Sequence, residues 1–228
     1  MATYWRVKAL PDRLMWGSTL LSQLSRRLSG LYAPIQDHLR PASRLELHYT
    51  ITPVDLSTGR LGHTMRRRAH SWTLQAASLF DLAMLGSANI TIKETDATST
   101  TETAAISPTV VAIAGALTSG IVVGTGTGAE SPTDFVIGTV VAEGVGAGQL
   151  SYSAMTTFAP PSAISGGYRC RVSRQVDNTS GGTIVVTEIA LYFITSVTYC
   201  GIRDLLATSQ SILTNTGRVI EYQMDFLN

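Results

Sequence analysis

Arg218-Val219-Ile220-Glu221-Tyr222-Gln223-Met224-Asp225-Phe226 alternates along its whole length. Ile220, Tyr222, Met224 and Phe226 face one way, and Glu221, Gln223 and Asp225 the other. A period of two marks a strand with one buried face. Its register is tightly specified, because a slip of one residue would carry its large apolar side chains into water. Arg44–Ile51 (RLELHYTI) repeats the pattern, with Leu45, Leu47, Tyr49 and Ile51 set against Glu46, His48 and Thr50.

Between these two stretches, Thr183–Ile194 is apolar on both faces apart from Glu188, as a central strand is. Further strands are expected at Asn89–Thr95, Gly120–Gly124, Phe135–Val141, Leu150–Phe158, Tyr168–Val176 and Thr198–Ile202. Pro108–Val123 is uncharged but shorter than the ~20 residues of a membrane-spanning helix. Its β-branched ends predict two buried strands with a turn near Gly115. Asp96–Thr103 reads as a polar loop. Other turns fall at the glycines of residues 144–148, at Pro160-Pro161, at Ser165-Gly166-Gly167 and at Ser180-Gly181-Gly182. Many short strands with frequent turns predict a mainly β fold, a β-sandwich or jelly-roll-like domain.

The front of the chain has a different period. Leu14, Gly17, Leu21, Leu24, Leu28 and Leu31 form one stripe at helical spacing, closed by Gly30 and Pro34. Tyr4–Leu10 is a candidate short strand. Arg66–Leu85 predicts a second helix, with a stripe of Ala69, Trp72, Ala76, Leu79, Phe80 and Ala83, and Gly86 at its end. The expected organisation is a strand/helix docking arm over 1–86 and a β-domain over 87–228. Two amphipathic helices and a strand are too little to fold alone, so the arm should pack on the β-domain or on a neighbouring subunit.

Composition narrows the function. The 228 residues are 44% hydrophobic and only 14% charged, against roughly 25% charged in an average domain. That excludes coiled coils and disordered tails, and suits β-structure or surfaces covered by other subunits. A net charge of +1 gives no global field for nucleic acid or membrane. Residues 1–75 carry eleven basic and four acidic side chains, and residues 76–228 six and twelve. This basic front and acidic back favour attraction between subunits. No apolar run follows a basic start, so no secretory signal is expected.

Reactive constellations do not emerge. Gly124-Thr125-Gly126-Thr127-Gly128 lacks the following helix and the Lys of a phosphate loop, and reads as a turn between strands. His38, His48, His63 and His70 are scattered without ligand spacing. Glu94, Asp96 and Glu102 lack calcium-loop spacing and read as a solvated loop. Cys170 and Cys200, thirty residues apart, read as buried free thiols rather than a disulfide or a zinc pair. No catalytic, cofactor-binding or metal-binding residue is assigned. The densest charge is Arg66, Arg67 and Arg68, with Arg60 upstream. At a helix start the dipole opposes these cations, which predicts an anionic partner, namely acids on a neighbour's β-domain. Arg66, Arg67, Arg68 and Trp72 are therefore the expected interaction residues.

The back of the chain carries a series of short motifs in order. They are residues 121–127 (IVVGTGT), 131–135 (SPTDF), 146–152 (GAGQLSY), 178–192 (NTSGGTIVVTEIALY) and 201–206 (GIRDLL). Upstream, Arg68-Ala69-His70-Ser71-Trp72 reads as the head of a helix. Together these resemble a group of virion proteins of tailed bacteriophages, over residues 65–228. Gly124, Gly126, Asn178, Gly181, Glu188, Arg203 and Asp204 match the pattern, and read as turn and strand-pairing determinants rather than a site. The resemblance implies a non-enzymatic structural subunit in the virion, made in the host cytoplasm and present in many copies. It would be placed as head decoration, neck or tail. Its partners would be itself, as a homo-oligomer, and other virion proteins. Nucleic acid, a membrane, a cofactor or a small-molecule substrate are not expected. The alternative is a receptor- or carbohydrate-binding module of a phage fibre.

Overall fold

The structure, a computed structural model, describes residues 44–69, 71–86, 89–103, 107–155 and 159–227. The expected strand at Tyr4–Leu10 and helix at Leu14–Leu31 lie outside the described residues. The chain divides into two compact units, Met1–Ala42 and Ser43–Asn228, and only the second is described. The boundary expected after residue 86 therefore falls inside a unit. Its physical cause is β1 (Arg44–Asp55), which pairs along its whole length with β11 (Thr216–Leu227), from Arg44 opposite Leu227 to Asp55 opposite Thr216.

The unit is mainly β, and its strands form antiparallel sheets. The larger sheet has the order β2 (Met65–Arg68), β1, β11, β8 (Gly167–Asn178) and β6 (Ser151–Tyr152), with β7 (Ala159–Ile164) also on β8. The second has the order β10 (Thr198–Ile212), β9 (Ile184–Ile194) and β5 (Gly120–Gly124). A small hairpin joins β3 (Ile90–Lys93) and β4 (Ser99–Glu102). The alternation that predicted β1 and β11 puts Leu47, Tyr49, Ile51, Ile220 and Tyr222 into one buried cluster. From the second sheet the same cluster takes Ile121, Val123, Ile189, Leu191 and Ile202. β9, apolar on both faces, is central as expected.

Two crossings between the sheets are tied together by one side chain. Asn178, fully buried, donates through Nδ2 to the Gly182 carbonyl in the β8–β9 turn and to the Ile212 carbonyl at the end of β10. The backbone N–H of Asn215, in the β10–β11 turn, returns to the Asn178 carbonyl.

Several local expectations are corrected. Arg66–Leu85 is not one helix. Arg66–Arg68 belong to β2, where they pair with Thr50, Tyr49 and His48. The helix α1 spans only Leu74–Phe80 and continues as a π-helical turn, Asp81–Leu85, ending at left-handed Gly86. Thr73 caps it, accepting from the Ala76 N–H. An edge place beside β1 satisfies the arginines' backbone, whereas the capping residue lies five residues further on. Phe135–Val141 makes only a bridge between Val140 and Gly124, because its Ile137 and Thr139 N–H groups go to the Tyr192 hydroxyl and Glu188 instead. Pro108–Val123 yields one strand, β5, after a turn at Gly115, while Thr109 makes an isolated bridge to Ile194. The tail of the expected polar loop pairs with β3 as β4. Within Leu150–Phe158 only Ser151–Tyr152 is a strand among the described residues, whereas β10 runs ten residues beyond Ile202.

Candidate functional site

β2 is the edge strand of the larger sheet, and four residues of it carry three arginines. Strand alternation separates them. Arg66 and Arg68 lie beside Thr50 and His48 on the face turned away from the core, and Arg67 beside Tyr49 on the other. The three do not form one cluster, and the argument that a helix dipole opposes them falls with the helix.

Each arginine has its own surroundings. Arg66 Nη2 lies 3.6 Å from Asp225 Oδ2. Asp225 is buried and is gripped by Arg169, whose Nε and Nη2 donate to its two oxygens at 2.6 and 2.7 Å. That hydrogen bonding holds the Asp225 carboxyl below the usual aspartate value and raises the Arg169 guanidinium. Arg67 donates to the Arg66 carbonyl at 3.3 Å, and neither Arg67 nor Arg68 has a carboxylate partner among the described residues. His48, opposite Arg68 and Gln223, has its pKa lowered by burial and then by Arg66. His48 Nδ1 and Gln223 Oε1 are buried without a hydrogen-bond partner.

Arg68 and Trp72 meet along a groove of about 320 Å³ that Leu45, Leu47 and Ala69 complete. Trp72 is half-buried, bridges Ile202 through its backbone and meets Phe80 edge-on at 5.4 Å. It anchors the segment between β2 and α1 to the second sheet, so one side of the groove is rigid. Leu45 is 48% exposed. A trough lined by Leu45, Leu47, Ala69 and Trp72, with the basic residue Arg68 on its lining, suits a chain segment carrying both an apolar group and an acid. Of the expected interaction residues, Arg68 and Trp72 are brought together, Arg66 is turned to Asp225, and Arg67 lies on the opposite face. Leu45 and Leu47 were legible as strand residues but not as groove walls. Asp225 and Arg169 were missed because only register brings them beside Arg66.

Four of the motifs read as a resemblance, those holding Gly126, Asp134, Glu188 and Arg203, meet elsewhere, in a buried polar network. Glu188 on β9 is fully buried. It accepts from the Gly126 and Thr139 N–H groups through Oε1, and from Arg203 Nε through Oε2 at 2.9 Å. Arg203 also donates to Asp134 at 2.7 Å and to the Ala129 and Gly128 carbonyls. Burial opposes its charge, but the hydrogen bonds to Asp134 and Glu188 outweigh that and raise its pKa. A Cβ at Gly126 would collide with Glu188 Oε1, so the glycine is required by close approach. Asp204 takes the Tyr222 hydroxyl at 3.0 Å, which ties β10 to β11. Arg203 is 4% exposed and Glu188 0%.

The remaining candidates are placed as follows. Asp96 Oδ1 accepts from the Thr98 N–H and hydroxyl and Glu94 from Thr100, both within the β3–β4 hairpin, whereas Glu102 accepts from Thr195 and Tyr199; Glu94 and Glu102 are buried rather than solvated. Glu46, His48 and Asp225 offer ligand atoms within 4.8 Å of one another. A cation there would compete with Arg169 and Arg66 for Asp225, which argues against a metal centre. Cys170 and Cys200 are both free. No helix among the described residues is long and apolar enough to cross a membrane. No family model, curated protein or solved structure matches the chain.

Proposed function

We propose that the chain is a structural subunit of a tailed-bacteriophage particle, present in many copies. In this reading the two sheets form a β-sandwich, and the β2 edge with its groove docks on another virion protein. The shared core drawn from both sheets supports the sandwich. The observation that carries the functional reading is the Glu188–Arg203–Asp134 network. Four of the six motifs, those holding Gly126, Asp134, Glu188 and Arg203, contribute to it, and its bonds are spent on pinning loops. Such a network specifies shape, which is what a repeated assembly unit needs.

The anionic partner of the edge is placed on a different protein rather than on a second copy. The acids of the β-domain are largely engaged at home. Glu130 takes Ser71 and the Leu205 N–H, Glu143 the Tyr152 N–H, and Asp177 the Gln175 amide. The fibre-module alternative draws on one observation. Tyr168 and Phe226 are opposed across β8 and β11 and are 57% and 48% exposed. Paired rings of this kind can stack on a sugar.

The test is light scattering and negative-stain imaging of the purified full-length chain, with and without particles that lack it. Closed multi-copy assemblies, or incorporation into those particles, are expected. A strictly monomeric chain with no affinity for the particle at low and moderate salt overturns the reading. Glycan-array binding lost in Tyr168→Ala would favour the fibre module instead.

A further inference from the structure

We propose that a cleft at the end of the larger sheet remote from the Arg68 groove binds an extended peptide segment of a partner protein, of the pattern apolar–acidic–apolar. The cleft, about 490 Å³, lies between the end of β1, the β1–β2 loop and the β10–β11 turn. That volume falls within the range of about 300–1,000 Å³ typical of ligand clefts.

Its chemistry is unbalanced in one direction. Arg218, half-buried on β11, is held by two carbonyls, those of Gly217 and Ser211, and by no carboxylate among the described residues. Its Nε is buried without a hydrogen-bond partner. Burial alone pulls its pKa below the ordinary arginine value, with no nearby acid to hold it up. Arg60, on the β1–β2 loop, is exposed, and nothing engages its guanidinium among the described residues. The wall carries one acid, Asp55. That acid is turned into its own loop by hydrogen bonds from the Ser57 N–H and hydroxyl and the Thr58 N–H. The cleft therefore presents two cations whose charge is not matched locally, which a carboxylate would complete.

Two leucines bracket these cations. Leu61 on the β1–β2 loop is 67% exposed and Leu213 on the β10–β11 turn 55%, with buried Val54 on the wall. Both leucines line the cleft, so they offer apolar contact on either side of the cations. The two leucines come from different loops, so the occupant needs an apolar group on each side of its carboxylate. A simple fatty acid offers one such group, whereas a peptide such as Leu-Asp-Leu offers two.

The experiment titrates the full-length chain with acetyl-Leu-Asp-Leu-amide, acetyl-Leu-Asn-Leu-amide and hexanoate, and follows the Leu61 and Leu213 methyl resonances. The Asp peptide should bind about tenfold more tightly than the Asn peptide, the worth of one charge-assisted hydrogen bond. Arg218→Gln should abolish that difference, and Leu61→Ser should weaken both peptides. Arg60→Gln, at an exposed loop position, gives the same reading where Arg218→Gln unfolds the turn. Equal binding of the Asp and Asn peptides, hexanoate binding as tightly as the Asp peptide, or no methyl shift at about 1 mM peptide would overturn the proposal.

Discussion

Arg203 and Arg68 are the same residue type put to opposite uses. Arg203 is buried between strands and loops, and donates to two carboxylates and two carbonyls. Arg68 stands on an edge strand beside an apolar groove, with no acid of its own among the described residues. The inner arginine holds the Gly124–Gly128 loop against β9, and the outer one is available to a partner. The motifs resembling virion proteins mark the inner region, so that resemblance tracks shape. Of the groove residues, Arg68, Ala69 and Trp72 fall in the foremost of those motifs, and Leu45 and Leu47 lie upstream of it.

The sharpest way to break the comparison is to remove the inner arginine. Arg203→Ala would leave Glu188 charged, fully buried and deprived of its counter-ion. The expected cost is about 3–5 kcal/mol of unfolding free energy by urea denaturation. Glu188→Gln should cost less, because Arg203 keeps Asp134 and the amide oxygen can still accept from Gly126 and Thr139. A loss below about 1 kcal/mol for Arg203→Ala would show that the network is ornamental.

Arg174 sharpens the same point without an acid. It is 1% exposed, donates to the Ser153, Ile121 and Ile113 carbonyls, and lies 4.9 Å from the Tyr152 ring. Burial lowers its pKa. Arg174→Met fills the space but leaves those carbonyls without a donor. The expected cost is about 2–3 kcal/mol, measured by the same denaturation. A neutral result would mean that the loops it joins are held by packing alone.

Between inner and outer regions lies the Arg169–Asp225–Arg66 row, which should respond to pH. The folded-state pKa of Asp225 is depressed, so the unfolded chain binds its proton first. Its contribution is fully present above the ordinary aspartate value of 3.8 and is lost as pH falls through the lowered one. His48 is also lowered, from 6.5, but in the folded state this penalises the cation. Stability should therefore already slip as pH falls below about 6.5. Asp225→Asn should flatten the acid limb and His48→Gln the upper one, each by about 1 kcal/mol or less. A pH profile unchanged in both variants would remove this row from the account.

How much of this was legible differs between the two regions. The alternation in Arg44–Ile51 and Arg218–Phe226 revealed both strands and their buried faces, because period two is local. It could not reveal that they pair with each other, some 170 residues apart, and so the boundary expected after residue 86 falls inside the second compact unit. Arg66–Arg68 looked helical because Ala69, Trp72 and Ala76 continue at helical spacing. Thr73, whose hydroxyl caps the real helix, was the overlooked signal. Glu188 stood out as a lone acid in an apolar strand. Arg203 stood out in the same series, but its pairing with Glu188 was invisible, since strand register joins them only after folding. The groove beside Arg68 had no linear signal at all.

The smallest expected effect on stability is the largest on docking. Arg67→Ser with Arg68→Ser removes two exposed guanidiniums that have no acid partner among the described residues. Arg66 is left in place because of its contact with Asp225. Exposed substitutions away from caps and buried pairs usually stay within about 0.5 kcal/mol, so unfolding should be unchanged. Incorporation into particles lacking the protein should fall, and the remaining binding should lose much of its salt dependence, because screened surface charge is what the two arginines contribute. The β2 backbone still pairs with β1, so a loss cannot be assigned to a missing strand. Unchanged incorporation at physiological salt by a folded double variant would reduce the edge to an ordinary solvated strand. The contrast with Arg203 would then be one of burial alone.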